Sequence, residues 1–162
     1  METGRGLRSL RSLSRRWFCA RWVVARIVSG VNIFFDVDHT LITWDVKLRP
    51  GVHEIFGRLR DDGHTLYLWS GMGPRWEVVK RFDLREHVVD CFWKPLYNHR
   101  ARLGELGVPL VPDYVIDDHA EVVTAFAGSV IDPPGMPLER DREMWRVYDE
   151  IRDFAGRISP VA

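Results

Sequence analysis

The chain has 162 residues, 46% of them apolar, which is enough for one domain with a hydrophobic core. This composition excludes a long disordered protein, and no run approaches the roughly 20 apolar residues that a membrane-spanning helix needs. The net charge of zero conceals a division, because residues 1–30 hold seven Arg and one Glu while the remainder is acidic. The only cysteines, Cys19 and Cys91, exclude a disulfide framework and favour a reducing compartment.

Residues 1–30 form a basic leader. Apolar residues recur there at steps of three and four among Arg and Ser, which predicts an amphipathic helix able to contact an anionic membrane surface weakly. The Arg-rich, Ser-rich and acid-poor composition is also typical of an organellar transit peptide. A disordered extension without function fits equally well. Because the two cysteines favour a reducing compartment, we expect a cytoplasmic protein, and organellar targeting by residues 1–30 is the alternative.

Residues 31–160 change to a pattern of strands that alternate with helices. Strands are predicted over residues 31–36, 64–70, 87–93, 114–117 and 129–131. Helices are predicted over residues 50–59, from the turn at 71–74 to residue 81, and over residues 98–106, 119–126 and 137–158. This alternation, without a hairpin signal, predicts one three-layer, Rossmann-like α/β domain with a mainly parallel five-stranded sheet.

Polar side chains stand at the carboxyl ends of these strands, namely Asp36, Asp38, Ser70, Lys94, Asp117 and Asp118. Ligands bind beyond those ends in an open α/β sheet. Converging carboxylates repel one another unless a cation lies among them, and oxygen ligands alone favour Mg²⁺. A hydroxyl and an ammonium beside that cation suit an anion such as phosphate. The set therefore indicates phosphoryl transfer to a carboxylate nucleophile.

Taken one at a time, these residues also fit structural roles. Paired acids suit the N-terminus of a helix, a serine suits a turn, and a lysine suits an exposed loop. Their joint occurrence at strand ends favours a site. The other two lysines, Lys47 and Lys80, fit less well than Lys94, because Lys80 falls inside a predicted helix and Lys47 precedes the second strand.

Four segments resemble, in order, the motifs of the haloacid dehalogenase-like (HAD) superfamily. FFDVDHTLI at residues 34–42 resembles the first motif, DxDxT, and LYLWSG at residues 66–71 resembles the second. Lys94 fits the third motif, and YVIDD at residues 114–118 resembles the fourth, a strand that ends in paired acids. The glycine that often follows the second Asp of the first motif is replaced by His39, which bears on the substrate rather than on the chemistry.

The resemblance implies a role for each of these residues. Asp36 would attack phosphorus and form an aspartyl phosphate, and Asp38 would act first as general acid and then as general base. Thr40 would support the loop that follows the nucleophile. The phosphoryl group would be bound by Ser70, Gly71 and Lys94. The ligands of Mg²⁺ would be Asp36, the backbone carbonyl of Asp38, and Asp117 with or without Asp118.

The motif spacing is too short for the cap domain that many superfamily members insert, with 29 residues between Thr40 and Ser70 and 23 between Ser70 and Lys94. A capless member has an open site, which suits a phosphate on a macromolecule or a small phosphoester enclosed by a homo-oligomer. The acidic domain carries no strong nucleic-acid signal. We expect a phosphatase, a hydrolase of phosphomonoesters. The alternatives are a catalytically weak scaffold module and a phosphotransferase.

Overall fold

The computed structural model describes residues 30–158, so the predictions for residues 1–29 lie outside the described chain. The strands are β1 (Asn32–Asp36), β2 (Thr65–Ser70), β3 (Val88–Trp93), β4 (Tyr114–Asp117) and β5 (Gly128–Val130). The α-helices are α1 (Val52–Asp61), α2 (Trp76–Arg81), α3 (Ala120–Ala125) and α4 (Glu143–Ile158). None of the helices within these described residues is long and apolar enough to cross a membrane.

The five strands form one parallel sheet in the order β3-β2-β1-β4-β5. The chain builds outward from β1 to β3, then returns to the other side of β1 for β4 and β5. This Rossmann-like arrangement confirms the predicted α/β class and the five-stranded sheet. The direction of winding reverses between β1 and β4, and such reversals leave a crevice at the carboxyl ends of the two strands.

Both faces of the sheet are covered by apolar side chains. Ile33 and Phe35 of β1 pack with residues of α1, α2 and α4, whereas Phe34 packs on the opposite face with Trp69 and residues of α3. Alternate residues of a strand point to opposite faces, so a strand covered on both sides reads as one continuous apolar run. The run ends at Asp36, which therefore stands where the apolar layers stop.

Two predicted helices differ from the structure. Residues 98–106 form successive turns: Asn98 has a left-handed φ of 47°, and the helix-type hydrogen bonds from Arg102 to Asn98 and from Leu106 to Arg102 are isolated rather than part of a continuous series. The final helix begins at Glu143 rather than residue 137. The segment Leu138–Arg140 is a 3-10 helix, and the Asp141 carboxylate accepts the Glu143 N–H at 3.0 Å.

Candidate functional site

A buried lysine joins two buried carboxylates at the carboxyl edge of the sheet. The ammonium nitrogen of Lys94, Nζ, lies 2.5 Å from Asp36 Oδ1 and 3.0 Å from Asp117 Oδ2. Asp36 ends β1, Asp117 ends β4, and Lys94 directly follows β3. All three side chains are almost fully buried. The fold therefore brings together three residues that the sequence separates by as many as 81 positions.

The electrostatics of this triad are dominated by burial. Burial and the neighbouring Asp117 carboxylate raise the pKa of Asp36 to about 7, against the opposing effect of Lys94. Burial also raises the pKa of Asp117. For Lys94 burial lowers the pKa, but the two carboxylates outweigh it and the net shift is upward. The ammonium is thus the charge that allows two carboxylates to lie together out of water.

Asp38 occupies a different environment, closer to solvent, with its side chain 34% exposed. Ser70 Oγ donates a hydrogen bond to Asp38 Oδ2 at 2.8 Å, and Arg75 Nη1 lies 2.6 Å from each carboxylate oxygen. Ser70 Oγ in turn accepts the Met72 N–H at 2.9 Å. One carboxylate, that of Asp36, is therefore buried beside an ammonium. The other is held by a hydroxyl and a guanidinium near the surface, and such unequal pairs suit distinct chemical roles.

The loop after β1 is tightly wound. The N–H groups of Leu41 and Ile42 both donate to the Val37 carbonyl, at 2.9 and 3.1 Å. His39 has a φ of 61°, in the left-handed region that glycine adopts most easily. Thr40 is fully buried beneath the loop, and its hydroxyl has no hydrogen-bond partner among the described residues. The loop-supporting role predicted for Thr40 would thus act through packing.

Gly71, predicted to bind phosphate with Ser70, lies in the turn directly after β2. A Cβ atom built on Gly71 would come within 2.8 Å of Leu96, so glycine permits the close approach of the segment that follows Lys94. Of the two alternative lysines, Lys80 is exposed on α2 and Lys47 pairs with Asp45 at 2.8 Å. Neither has a contact with the carboxylates at the sheet edge, and Lys94 is the lysine that the structure brings there.

The second acid of the predicted metal set, Asp118, turns toward its neighbour His119, with Asp118 Oδ1 2.8 Å from His119 Nδ1. Ligand atoms of Asp117, Asp118 and His119 lie within 4.8 Å of one another. When Asp36, Asp117 and Asp118 are all ionised, the single ammonium of Lys94 leaves two negative charges unbalanced. Oxygen donors with that residual charge could hold a divalent, oxygen-preferring cation.

Arg75 is the site residue that the sequence analysis missed. It lies 37 positions after Asp38, in the turn that precedes α2, and only the pairing of β1 with β2 brings the two side chains together. The one sequence signal is its place directly after the turn at residues 71–74, which follows the second motif. An arginine in that position has no periodic or compositional signature of its own.

Comparison with known proteins adds no family to this description. No model of a known protein family matches the chain, and a search of curated proteins finds no match. The findings thus amount to a Rossmann-like domain whose parallel five-stranded sheet carries a buried lysine and converging carboxylates at its carboxyl edge.

Proposed function

We propose that the protein is a Mg²⁺-dependent phosphatase of the HAD type, which hydrolyses a phosphomonoester through an aspartyl phosphate on Asp36. The observation that carries the proposal is the contact of Lys94 with both Asp36 and Asp117 at the point where the sheet reverses its winding. A structural salt bridge needs one carboxylate. Two buried carboxylates around one ammonium, with a third nearby, are costly for folding and suit a site for charged ligands.

In the first half-reaction a carboxylate oxygen of Asp36 attacks phosphorus, and the bond between phosphorus and the ester oxygen breaks. Asp38 gives its proton to the departing oxygen, so the product leaves as an alcohol. The Ser70 hydroxyl and the Lys94 ammonium donate to the phosphoryl oxygens as negative charge spreads over them. Asp38 is partly open to solvent, from which it can take up the proton that it gives, and the contact with Lys94 favours the ionised form of Asp36.

In the second half-reaction a water molecule attacks the phosphorus of the aspartyl phosphate. Asp38, now ionised, takes the proton of that water, and the bond between phosphorus and the Asp36 oxygen breaks. Inorganic phosphate leaves, and both carboxyl groups return to their starting states. Arg75 holds Asp38 in the same position for each half-reaction, whereas the single hydroxyl proton of Ser70 turns from Asp38 to the phosphoryl group when the substrate binds.

The residues that would hold Mg²⁺ are Asp36, the backbone carbonyl of Asp38, Asp117 and Asp118. The cation would add positive charge next to the phosphoryl oxygens and reduce the repulsion between an anionic nucleophile and an anionic substrate. Two features support the choice of Mg²⁺: the donors are all oxygen, and one ammonium leaves two of the three carboxylate charges unbalanced.

The short connections of the sheet support a capless form. Between β1 and β2 the chain holds the loop at residues 37–51 and α1, and between β2 and β3 it holds a turn and α2. Neither connection contains a further sheet or helical bundle. The substrate would then be a phosphate on a macromolecule, or a small phosphoester covered by a second subunit.

The direct test is hydrolysis of 4-nitrophenyl phosphate by the full-length protein with Mg²⁺. Asp36→Asn should lower kcat by roughly three orders of magnitude or more, because the covalent route is lost. Chelation of the metal should abolish turnover reversibly. Asp61→Asn, an exposed acid at the end of α1, is the matched control and should keep full activity. An inactive wild-type protein, or an active Asp36→Asn variant, would sink the proposal.

A phosphotransferase would share the first half-reaction. Adding a high concentration of an alcohol such as glycerol distinguishes a phosphotransferase from a phosphatase. A phosphotransferase would form the new phosphoester in preference to inorganic phosphate. We expect inorganic phosphate as the main product with and without the alcohol.

A further inference from the structure

A cavity of about 430 Å³ opens beside His39, the residue that follows Asp38. One wall is the loop after β1, with His39 and Trp44, and the other is the segment after β5, with Met136 and the prolines at 133–134. His39 directly follows Asp38 in the chain, so the cavity begins one residue away from the carboxylate that meets the leaving oxygen in the proposed reaction.

The lining of this cavity is mainly apolar and aromatic, with Thr43 and Asp45 as further polar members beside His39, yet its large apolar side chains pack little into the protein. The side chains of Trp44 and Met136 are 83% and 82% exposed, more than any other large apolar residue of the described chain. Exposed to this extent, they contribute almost nothing to the core. An indole face, a thioether and proline rings are the surfaces on which a flat aromatic group packs well.

A buried arginine ties the two walls together. Arg49, near the end of the loop after β1, donates from Nη2 to the backbone carbonyl of Asp132, directly before the prolines. Its Nε atom lies 3.2 Å from the Asp141 carboxylate, with both side chains almost fully buried. The walls therefore keep their spacing without a ligand, and a preformed cavity binds with less loss of conformational entropy.

His39 adds a polar group at the edge of the cavity, at a conformational cost. A histidine at a φ of 61° is less favourable than glycine there. The His39 side chain lines the cavity and is exposed to solvent. An imidazole in that position can donate or accept one hydrogen bond from a polar atom on the rim of an aromatic ligand.

We infer that this cavity binds the leaving alcohol of the substrate and that this alcohol carries a planar aromatic or heteroaromatic group. The inference rests on the proposed function: Asp38 protonates the leaving oxygen, so the alcohol lies on the Asp38 side of the phosphorus. The volume fits a group of one or two rings, near the lower end of ordinary small-molecule sites. The flat faces of Trp44 and the prolines select a ring over a flexible chain.

Binding of non-hydrolysable phosphonates tests this without relying on turnover. Calorimetry on the full-length protein with Mg²⁺ should give phenylphosphonate an affinity roughly tenfold above that of methylphosphonate. Trp44→Ala and Met136→Ala should each bring the ratio of these two affinities close to one. Val111→Ala, an exposed apolar residue in the loop before β4, is the matched control and should keep it. His39→Gly should raise the melting temperature and lower the affinity for ligands with a polar rim.

Rates of hydrolysis then show which class of aromatic phosphoester is the preferred substrate. Phenyl phosphate, free phosphotyrosine and nucleoside monophosphates are compared with glycerol phosphate by kcat/KM in the wild type and Trp44→Ala proteins. An aromatic preference that falls in Trp44→Ala supports the inference. Equal affinities for the two phosphonates, or equal ratios in Trp44→Ala and Val111→Ala, would overturn it. If no phosphoester is hydrolysed but the phosphonate ratio depends on Trp44, the aromatic site stands and the phosphatase proposal fails.

Discussion

Arg75 Nη1 lies 2.6 Å from both carboxylate oxygens of Asp38, which also accepts the Ser70 hydroxyl at 2.8 Å. The loop after β1 is thereby tied to the end of β2 and to the turn before α2. A carboxylate held by two donors has little rotational freedom, so Asp38 keeps one orientation toward the crevice at the sheet edge. Arg75 therefore acts through Asp38, as a positioning residue in the proposed reaction.

Replacing Arg75 should damage the chemical step more than substrate binding. Arg75→Gln removes the charged contact with Asp38 and should lower kcat by roughly tenfold, with a smaller change in KM. Arg75→Lys should recover part of the loss, because an ammonium can still reach the carboxylate. Steady-state kinetics on an aryl phosphate measures the effect. Arg81→Gln, at the C-terminal end of α2, is the control and should behave as wild type. A change confined to KM would contradict the positioning role.

Lys94 should be essential for stability as well as for the proposed chemistry. Lys94→Met leaves Asp36 and Asp117 buried without a counter-charge, and we expect the free energy of unfolding to fall by about 3–5 kcal/mol. Urea denaturation measures this loss. Adding Asp117→Asn to Lys94→Met should recover part of it, because one buried charge is removed. Lys80→Met, at an exposed position on α2, should stay within about 0.5 kcal/mol of wild type. Equal stabilities for the two lysine variants would refute this reading.

The ion pair of Arg49 with Asp141 joins the loop after β1 to the start of α4. Asp141→Ala leaves a buried guanidinium charge unpaired and also removes the acceptor of the Glu143 N–H, so it should destabilise the domain by about 3–5 kcal/mol. The double variant Arg49→Met with Asp141→Ala should be more stable than Asp141→Ala alone, since it removes the unpaired charge. Thermal and urea unfolding give both values. Asp153→Ala, an exposed acid on α4, serves as control.

Titration of His64 should make the stability of the folded domain depend on pH. It is buried just before β2, and its Nδ1 accepts the Val31 N–H at 3.3 Å, which requires that nitrogen to be unprotonated. Burial lowers the pKa of His64 below its usual 6.5. Between the two pKa values of His64 the unfolded chain therefore binds more protons than the folded protein. The stabilisation that comes from neutral His64 is fully present above pH 6.5, and it is lost as the pH falls toward the pKa of His64 in the folded protein.

The measurement is urea unfolding between pH 7.5 and 5 for the wild type and His64→Asn, whose amide oxygen can take the place of Nδ1 and accept the same N–H. Wild-type stability should decline more steeply below about pH 6.5 than that of His64→Asn. The comparison between proteins is needed because His87 also has a pKa lowered by burial. Parallel curves would show that His64 does not titrate as expected.

Part of the fold could be predicted because it depends on local pattern. The apolar run at residues 31–36 is buried on both faces of a parallel sheet, so its sequence alone identifies β1. The segment at residues 98–106 has an apolar pattern typical of a helix, yet Asn98 is left-handed and the segment forms turns. There, packing of a few residues such as Leu103 against the sheet outweighs a weak helical preference.

The sequence by itself determined the order of the five strands and of the four α-helices, the parallel α/β class, and which polar residues stand at strand ends. These follow from short continuous apolar runs and from the helical period of about 3.6 residues, which a chain carries without reference to distant partners. Tertiary structure alone decided that Lys94 meets Asp36 and Asp117, that Arg75 holds Asp38, and that Trp44 and Met136 face one cavity. Those contacts join segments far apart in the chain, and only the winding of the sheet brings them together.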